Sequence, residues 1–260
     1  MRINVTTLKN FINVLGIAMN GDMVITRKKD ENIIASVTNT EKRVMITAFI
    51  ANGKQVEYDV DESVEMCINE LDFKKRYLAN FDGEYVGVVT TDDLIVLSDD
   101  KLTVNVPQID YEYASRSIPG KSIENIKSSI PPREIVIAFD ADDIQKFIKV
   151  AKNLGETVVS FTIPEEGEYI YLSTEKRSKL EVHADIDNKY GEEFVVDISI
   201  NALEDSFANA QLDITMGFVT EQQKDQYGND VLFPITFDYI TGKNTEINVS
   251  GLLIPHKVTW

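Results

Sequence analysis

Val64-Glu-Met-Cys-Ile-Asn69 and Val196-Asp-Ile-Ser-Ile-Asn201 are two versions of one strand: each sets an apolar residue at every second position and each ends in Ile-Asn. A second pair of segments supports the same repeat. Lys9-Asn-Phe-Ile-Asn-Val14 returns as Gln145-Lys-Phe-Ile-Lys-Val150, aligning Phe11 with Phe147 and Ile12 with Ile148. The offsets, 132 and 136 residues, are close enough to belong to one duplication, and a duplication decides the architecture.

Around these anchors both halves read alike. Residues 7–18 carry Leu8, Phe11, Ile12 and Leu15 at the spacing of an amphipathic helix, and residues 142–154 repeat it with Ile144, Phe147, Ile148 and Ala151. Asp140 is placed to cap the second of these, with Asp142 and Asp143 at the positive end of its dipole. Strands are expected at Met23–Thr26, Asn32–Val37, Val44–Ile50 and Val64–Ile68, with Asn52-Gly53 as a hairpin signal. Shorter helices follow at about 71–80 and 201–210, then two or three more strands. The expected fold class is α+β: two similar domains, 1–107 and 133–260, each with two helices packed on antiparallel sheets. Residues 108–132, with Pro119-Gly120 and Pro131-Pro132, read as an extended connector.

Composition narrows the function. The 260 residues include 43 acidic and 26 basic side chains, a net charge of −17, which excludes a simple basic nucleic-acid binder, and 43% hydrophobic residues suffice for real cores. A single cysteine, Cys67, and two histidines offer neither a disulfide nor a zinc cluster, so a reducing, cytoplasmic setting and no cofactor are expected. No apolar run approaches a membrane span, and the N-terminal stretch, broken by Lys9, Asn10 and Asn13, lacks the apolar core of a signal peptide.

The cations are sorted. The four expected helices hold seven basic and five acidic residues, net +2, leaving −19 for the rest of the chain. Lys74-Lys75-Arg76 sit on the second helix, Lys9 on the first, and Lys146, Lys149 and Lys152 lie along one face of the third, opposite Phe147 and Ile148. Helices net positive within an acidic chain attract a phosphate backbone to one face and repel it elsewhere.

Duplicated halves, a proline-bearing connector, acidic bulk and lysine-bearing helices together resemble a DNA polymerase sliding clamp. The opening stretches Leu8-Lys-Asn-Phe11 and Met23-Val-Ile-Thr-Arg27 are similar to the clamps of T4-like phages, which links the chain to the proliferating cell nuclear antigen family. The resemblance implies a homotrimeric ring with helices lining a central hole. Such a ring encircles duplex DNA without sequence specificity and tethers the replicative polymerase after a clamp loader has placed it, with no catalysis and no metal. Phosphate contacts would then come from Lys9, Lys74, Lys75, Arg76, Lys146, Lys149 and Lys152. A partner-peptide pocket between the halves would use Val44, Ile46, Ile109, Tyr111, Leu253, Ile254 and Pro255. The subunit interface would join the edge carrying Leu102, Val104 and Val106 to that carrying Leu180, Val182 and Ile186 of the next copy.

Three features depart from that pattern: no basic residue in 201–210, which carries Glu204 and Asp205; a polar loop at 221–230 of unassigned use; and a tail ending in Trp260, a packed anchor or an exposed handle. Rival readings are weaker. Asp140-Ala-Asp142-Asp143 lacks the glycine and glutamate of a calcium loop, Asp92-Asp93 and Asp99-Asp100 suit turns, and His183 and His256 have no nucleophile pattern nearby. A β-rich structural or virion protein with no DNA role is the alternative, against which the grouped helical cations stand.

Overall fold

Asn4 and Asp140, 136 residues apart, start the two long helices in the same manner: Asn4 Oδ1 accepts the Thr7 N–H at 3.1 Å and Asp140 Oδ1 accepts the Asp142 N–H at 2.7 Å. Each side chain satisfies a backbone donor that the first helical turn leaves without a partner. The structure, a computed structural model, describes all residues except 20, 28–31, 40, 51–55, 58–63, 92, 110–125, 127, 176–177, 222, 242–246 and 260. Asn52-Gly53, Asp92, most of the connector, Tyr111 and Trp260 thus lie outside the described residues.

The chain divides into two units, Met1–Thr40 with Ile46–Ile123 and Thr241–Val249, and Glu41–Met45 with Glu124–Ile240 and Ser250–Trp260. The first runs β1 (Arg2–Asn4), α1 (Val5–Met19), β2 (Asp22–Arg27), β3 (Ile33–Thr38), β4 (Val44–Ile50), β5 (Val56–Glu57), β6 (Val64–Asn69), α2, β7 (Tyr85–Thr90), β8 (Leu94–Ser98) and β9 (Thr103–Pro107). Helix α2 begins as the α-turn Glu70–Asp72, continues as π-helical Phe73–Tyr77 and closes as the 3-10 turn Leu78–Asn80. The second unit runs β10 (Ile135–Asp140), α3 (Ala141–Asn153), β11 (Val158–Ile163), β12 (Tyr169–Ser173), β13 (Lys179–Asn188), β14 (Phe194–Ser199), α4 (Ile200–Phe207) and β15 (Asp213–Phe218). The chain continues with β16 (Gln223–Lys224), β17 (Asp230–Val231), β18 (Ile235–Thr241), β19 (Ile247–Leu253), whose Ile247–Val249 fall in the first unit, and β20 (Lys257–Thr259). The strand orders repeat: β6-β2-β3-β4 matches β14-β11-β12-β13, and β1-β7-β8-β9 matches β10-β15-β18-β19.

The helices cover these sheets with the predicted stripes. Leu8, Phe11, Ile12 and Leu15 are fully buried, as are Ile144 and Ala151, with Phe147 and Ile148 nearly so. Each of these Leu, Ile and Phe side chains contributes roughly 1.5–3 kcal/mol of transfer free energy, which fixes the outward face by exclusion.

The strand match that suggested the duplication is two residues out. β6 ends at Asn69, whose side chain caps α2 by accepting the Asp72 N–H, and β14 ends at Ser199, the residue before α4. Met23 lies opposite Ile68 where β2 meets β6, and Val159 lies opposite Ile198 where β11 meets β14. Asn69 therefore corresponds to Ser199, an offset of 130 instead of 132. A slip of two keeps every inward side chain inward, so alternation cannot reveal it.

The caps distinguish the two copies. Asn69 also donates through Nδ2 to Asp22 Oδ1 at 2.7 Å, whereas Ser199 makes no side-chain cap bond. Asn69→Ala is expected to cost about 1–2 kcal/mol in urea unfolding and Ser199→Ala close to nothing. Equal losses would refute the asymmetry.

Candidate nucleic-acid interface

In each unit two helices pack together, α1 with α2 and α3 with α4. Their outward faces carry all seven predicted cations. Lys75, Arg76, Lys146, Lys149 and Lys152 are exposed, and Lys9 and Lys74 are half-buried. Lys9 reaches across to α2, its Nζ donating to Phe81 O at 3.5 Å.

Most of these cations do not stand alone. Arg76 Nε lies 3.2 Å from Asp72, Lys74 Nζ 4.0 Å from the buried Glu70, and Lys146 Nζ 4.0 Å from Asp142, each pair spaced i, i+4. Lys152 Nζ is bound to Glu204 on α4. Lys75 and Lys149 have no ion pair among the described residues. With Glu70 inside α2, the helices hold seven basic and six acidic residues, a thinner excess than the expected bounds allow. The i, i+4 acids were readable from sequence; the Lys152–Glu204 pair joins residues 52 apart on different helices and carries no local signal.

Between α3 and α4 lies a groove of about 430 Å³ lined by Gln145, Ile148, Lys149, Lys152, Asn153 and Glu204, with Ala208 at one end. Gln145 sets its geometry: Nε2 donates to Phe207 O at 2.7 Å, which also accepts the Ala210 N–H, and to Ala210 O at 2.8 Å, tying α3 to the chain at the end of α4.

Two sheet edges are open in ways the ladders define. Among the described residues β9 pairs only with β8, and the Gln108 N–H to Asp93 O and Asp99 N–H to Leu102 O bonds fix the alternation. By that alternation the main chains of Leu102, Val104 and Val106 point toward β8, and those of Thr103, Asn105 and Pro107 point outward. Pro107, lacking an N–H, suits an outward edge position. β13 serves two neighbours: Lys179–His183 pair with β12 and Ala184–Asn188 with β10. Ala184 N–H donates to Glu168 O and Lys189 N–H to Glu134 O, so even-numbered residues face β12 and odd-numbered ones face the opposite side. Past the end of β10 the outward groups of Lys179 and Glu181 have no strand against them among the described residues. Leu180 and Val182 turn their main chains inward to β12, and Ile186 sits opposite Ile137 of β10.

Of the expected pocket residues, Val44, Ile46, Leu253 and Pro255 are buried, whereas Ile254 is 41% exposed. Ile254 N–H donates to Arg43 O at 2.8 Å. Ile109 is half-buried against Val24 and Cys67, its N–H donating to Cys67 O at 3.0 Å.

Among the carboxylates of the rival readings, Asp140 caps α3 and Asp99 holds a turn. Asp99 Oδ1 accepts the Lys101 and Leu102 N–H groups, both at 2.8 Å, and these bonds hold its carboxyl below the usual range. Asp225 accepts from the Asn229 side chain and from the Asn229, Tyr227 and Gly228 main chain, which lowers its pKa likewise and orders the β16–β17 tip, where Tyr227 is 80% exposed. His183 meets the Tyr169 ring edge-on at 5.5 Å. Among the described residues no group of three His, Cys, Asp or Glu side chains is placed to hold a metal ion, and no helix is long and apolar enough to cross a membrane.

No family model and no curated protein sequence matches the chain. Solved structures do. Proliferating cellular nuclear antigen from Entamoeba histolytica superposes with a TM-score of 0.71 at 12% identity, covering 98% of each chain. A. fulgidus PCNA, in a structure with the C-terminal region of FEN-1 bound, gives 0.72 at 15% identity over 100% of this chain and 99% of that one. The beta chain of DNA polymerase III from Streptococcus pneumoniae gives 0.68 at 14% identity over 99% of this chain and 64% of its own length. The chain has the fold of these proteins from end to end.

Proposed function

We propose that this chain is a DNA sliding clamp, a processivity factor that works by topology and carries out no chemistry. The observation that carries the proposal is the match of both halves, over 98–100% of the chain, to proliferating cell nuclear antigen structures. Three copies close head to tail, the outward main chains of Thr103 and Asn105 in one copy pairing with those of Lys179 and Glu181 in the next. Domains 1–107 and 133–260, joined by the connector 108–132, turn α1–α4 toward duplex DNA. Lys75 and Lys149, with Lys9 and the paired cations, touch phosphates without reading bases. Weak contacts let the ring slide while closure keeps it on the strand.

A replicative polymerase and a clamp loader dock by short peptides at Ile254, beside buried Leu253 and Pro255, with Val44, Ile46, Ile109 and Tyr111 as the further positions. A. fulgidus PCNA holds the C-terminal region of FEN-1, which supports docking of this kind. The setting is cytoplasmic, in the host if the chain is phage-encoded.

The test is topological. Protein loaded onto circular duplex DNA with its loader should stay bound through gel filtration and leave when one restriction cut linearises the circle. Retention that ignores the cut would refute the clamp.

A further inference from the structure

Helix α4 carries no cation, yet it supplies the partner of one. Glu204 reaches across the α3–α4 groove to Lys152, and both side chains are about two-fifths exposed, so the pair stands at the surface that the proposed function turns toward DNA. The juxtaposition is built: Gln145 holds the end of α4 through Phe207 O and Ala210 O, and Ile148 is buried in the groove beneath. Three further carboxylates, Glu70, Asp72 and Asp142, lie within 4.0 Å of helical cations.

We infer that Glu204 is a counter-ion that weakens the grip of α3 on the phosphate backbone, an inference that rests on the clamp proposal. A lysine already neutralised by a carboxylate presents a dipole instead of a charge. A phosphate approaching Lys152 must displace Glu204 or sit beside it, and either route removes most of the counterion-release gain that a free lysine supplies. Lys149, one turn earlier and without an ion pair among the described residues, retains the full effect. The arrangement separates two requirements of a sliding ring: enough positive charge to centre the duplex, and few strong contacts that would have to break at each step. Glu204 thereby sets how freely the ring moves.

Surface ion pairs contribute little to folding, so Glu204→Gln keeps the shape of the side chain and leaves the fold intact. The experiment is a salt titration of binding to a short blunt duplex, which threads a ring without a loader, with melting curves as a folding control. In Glu204→Gln, log K against log salt should steepen by roughly 0.9 per copy engaged, with tighter binding at low salt. Glu204→Gln combined with Lys152→Gln should return both to the starting values. If Glu204→Gln changes nothing while Lys149→Gln weakens binding, the counter-ion role is overturned and the clamp stands. If neither Lys149→Gln nor Lys75→Gln alters binding, the helical DNA face fails and the role of Glu204 falls with it.

Discussion

Gly251→Val should not yield a folded protein, and Gly251→Ala should unfold at markedly lower urea than the parent chain. A Cβ built on Gly251 falls in hard overlap with Phe237 Cζ and 2.6 Å from Met45 O. Neither neighbour can give way. Phe237 is fully buried, its ring 5.2 Å from that of Phe207 and stacked at 6.3 Å on Tyr239, and Phe207 is itself fully buried. The carbonyl belongs to the β4 backbone, so relief on that side means moving a strand. Overpacking of this kind costs about 1–3 kcal/mol at one contact, and two contacts at once approach the ~5–15 kcal/mol that holds a domain folded. Urea midpoints for Gly251→Ala within experimental error of the parent would refute this packing.

Asn105→Pro should leave the protomer folded and abolish the ring. The Asn105 main chain points away from β8, so a proline there removes no bond of the β8–β9 ladder. It deletes a donor from the outward edge and sets a ring where the next copy's strand must lie. Sedimentation of the parent chain is expected near three times 29.3 kDa, and of Asn105→Pro near 29.3 kDa, with unchanged circular dichroism. The matched control is Val104→Pro, one residue earlier, which breaks the inward ladder and should destabilise the protomer itself. An Asn105→Pro trimer as stable as the parent would place the subunit contact elsewhere.

The two variants also mark where sequence alone stops. The helical stripes of α1 and α3, the cap at Asp140 and the alternation of β14 up to Ser199 are written in neighbouring residues at periods of 3.6 and 2, and the structure bears them out; in β6 Cys67 is buried as well, so burial there does not alternate. The sequence match sets Asn69 against Asn201, two residues past Ser199, because alternation is blind to a shift of one full pleat; the caps and the register against β2 and β11 break the tie. Which residues of β9 face outward depends on which pairs of the ladder are hydrogen-bonded, a property of two strands together. The Lys152–Glu204 pair is invisible for the same reason, since it exists only once Gln145 has drawn α4 against α3. The acidity of α4, where the other helices are net basic, is legible in the sequence; that Glu204 stands against Lys152 is not.

Open edges bear on colloidal behaviour as well. A strand with unpaired N–H and C=O groups will accept any compatible strand, and a chain with two such edges can grow into an endless ribbon. A net charge of −17 makes chance encounters between copies repulsive, most strongly at low ionic strength. The acidity therefore acts as a filter on collisions: only an approach that forms many main-chain bonds at once overcomes the repulsion. Repulsion of this kind favours a small closed assembly over an open polymer, because each copy added to a growing ribbon brings a further net charge of −17 to a crowded end.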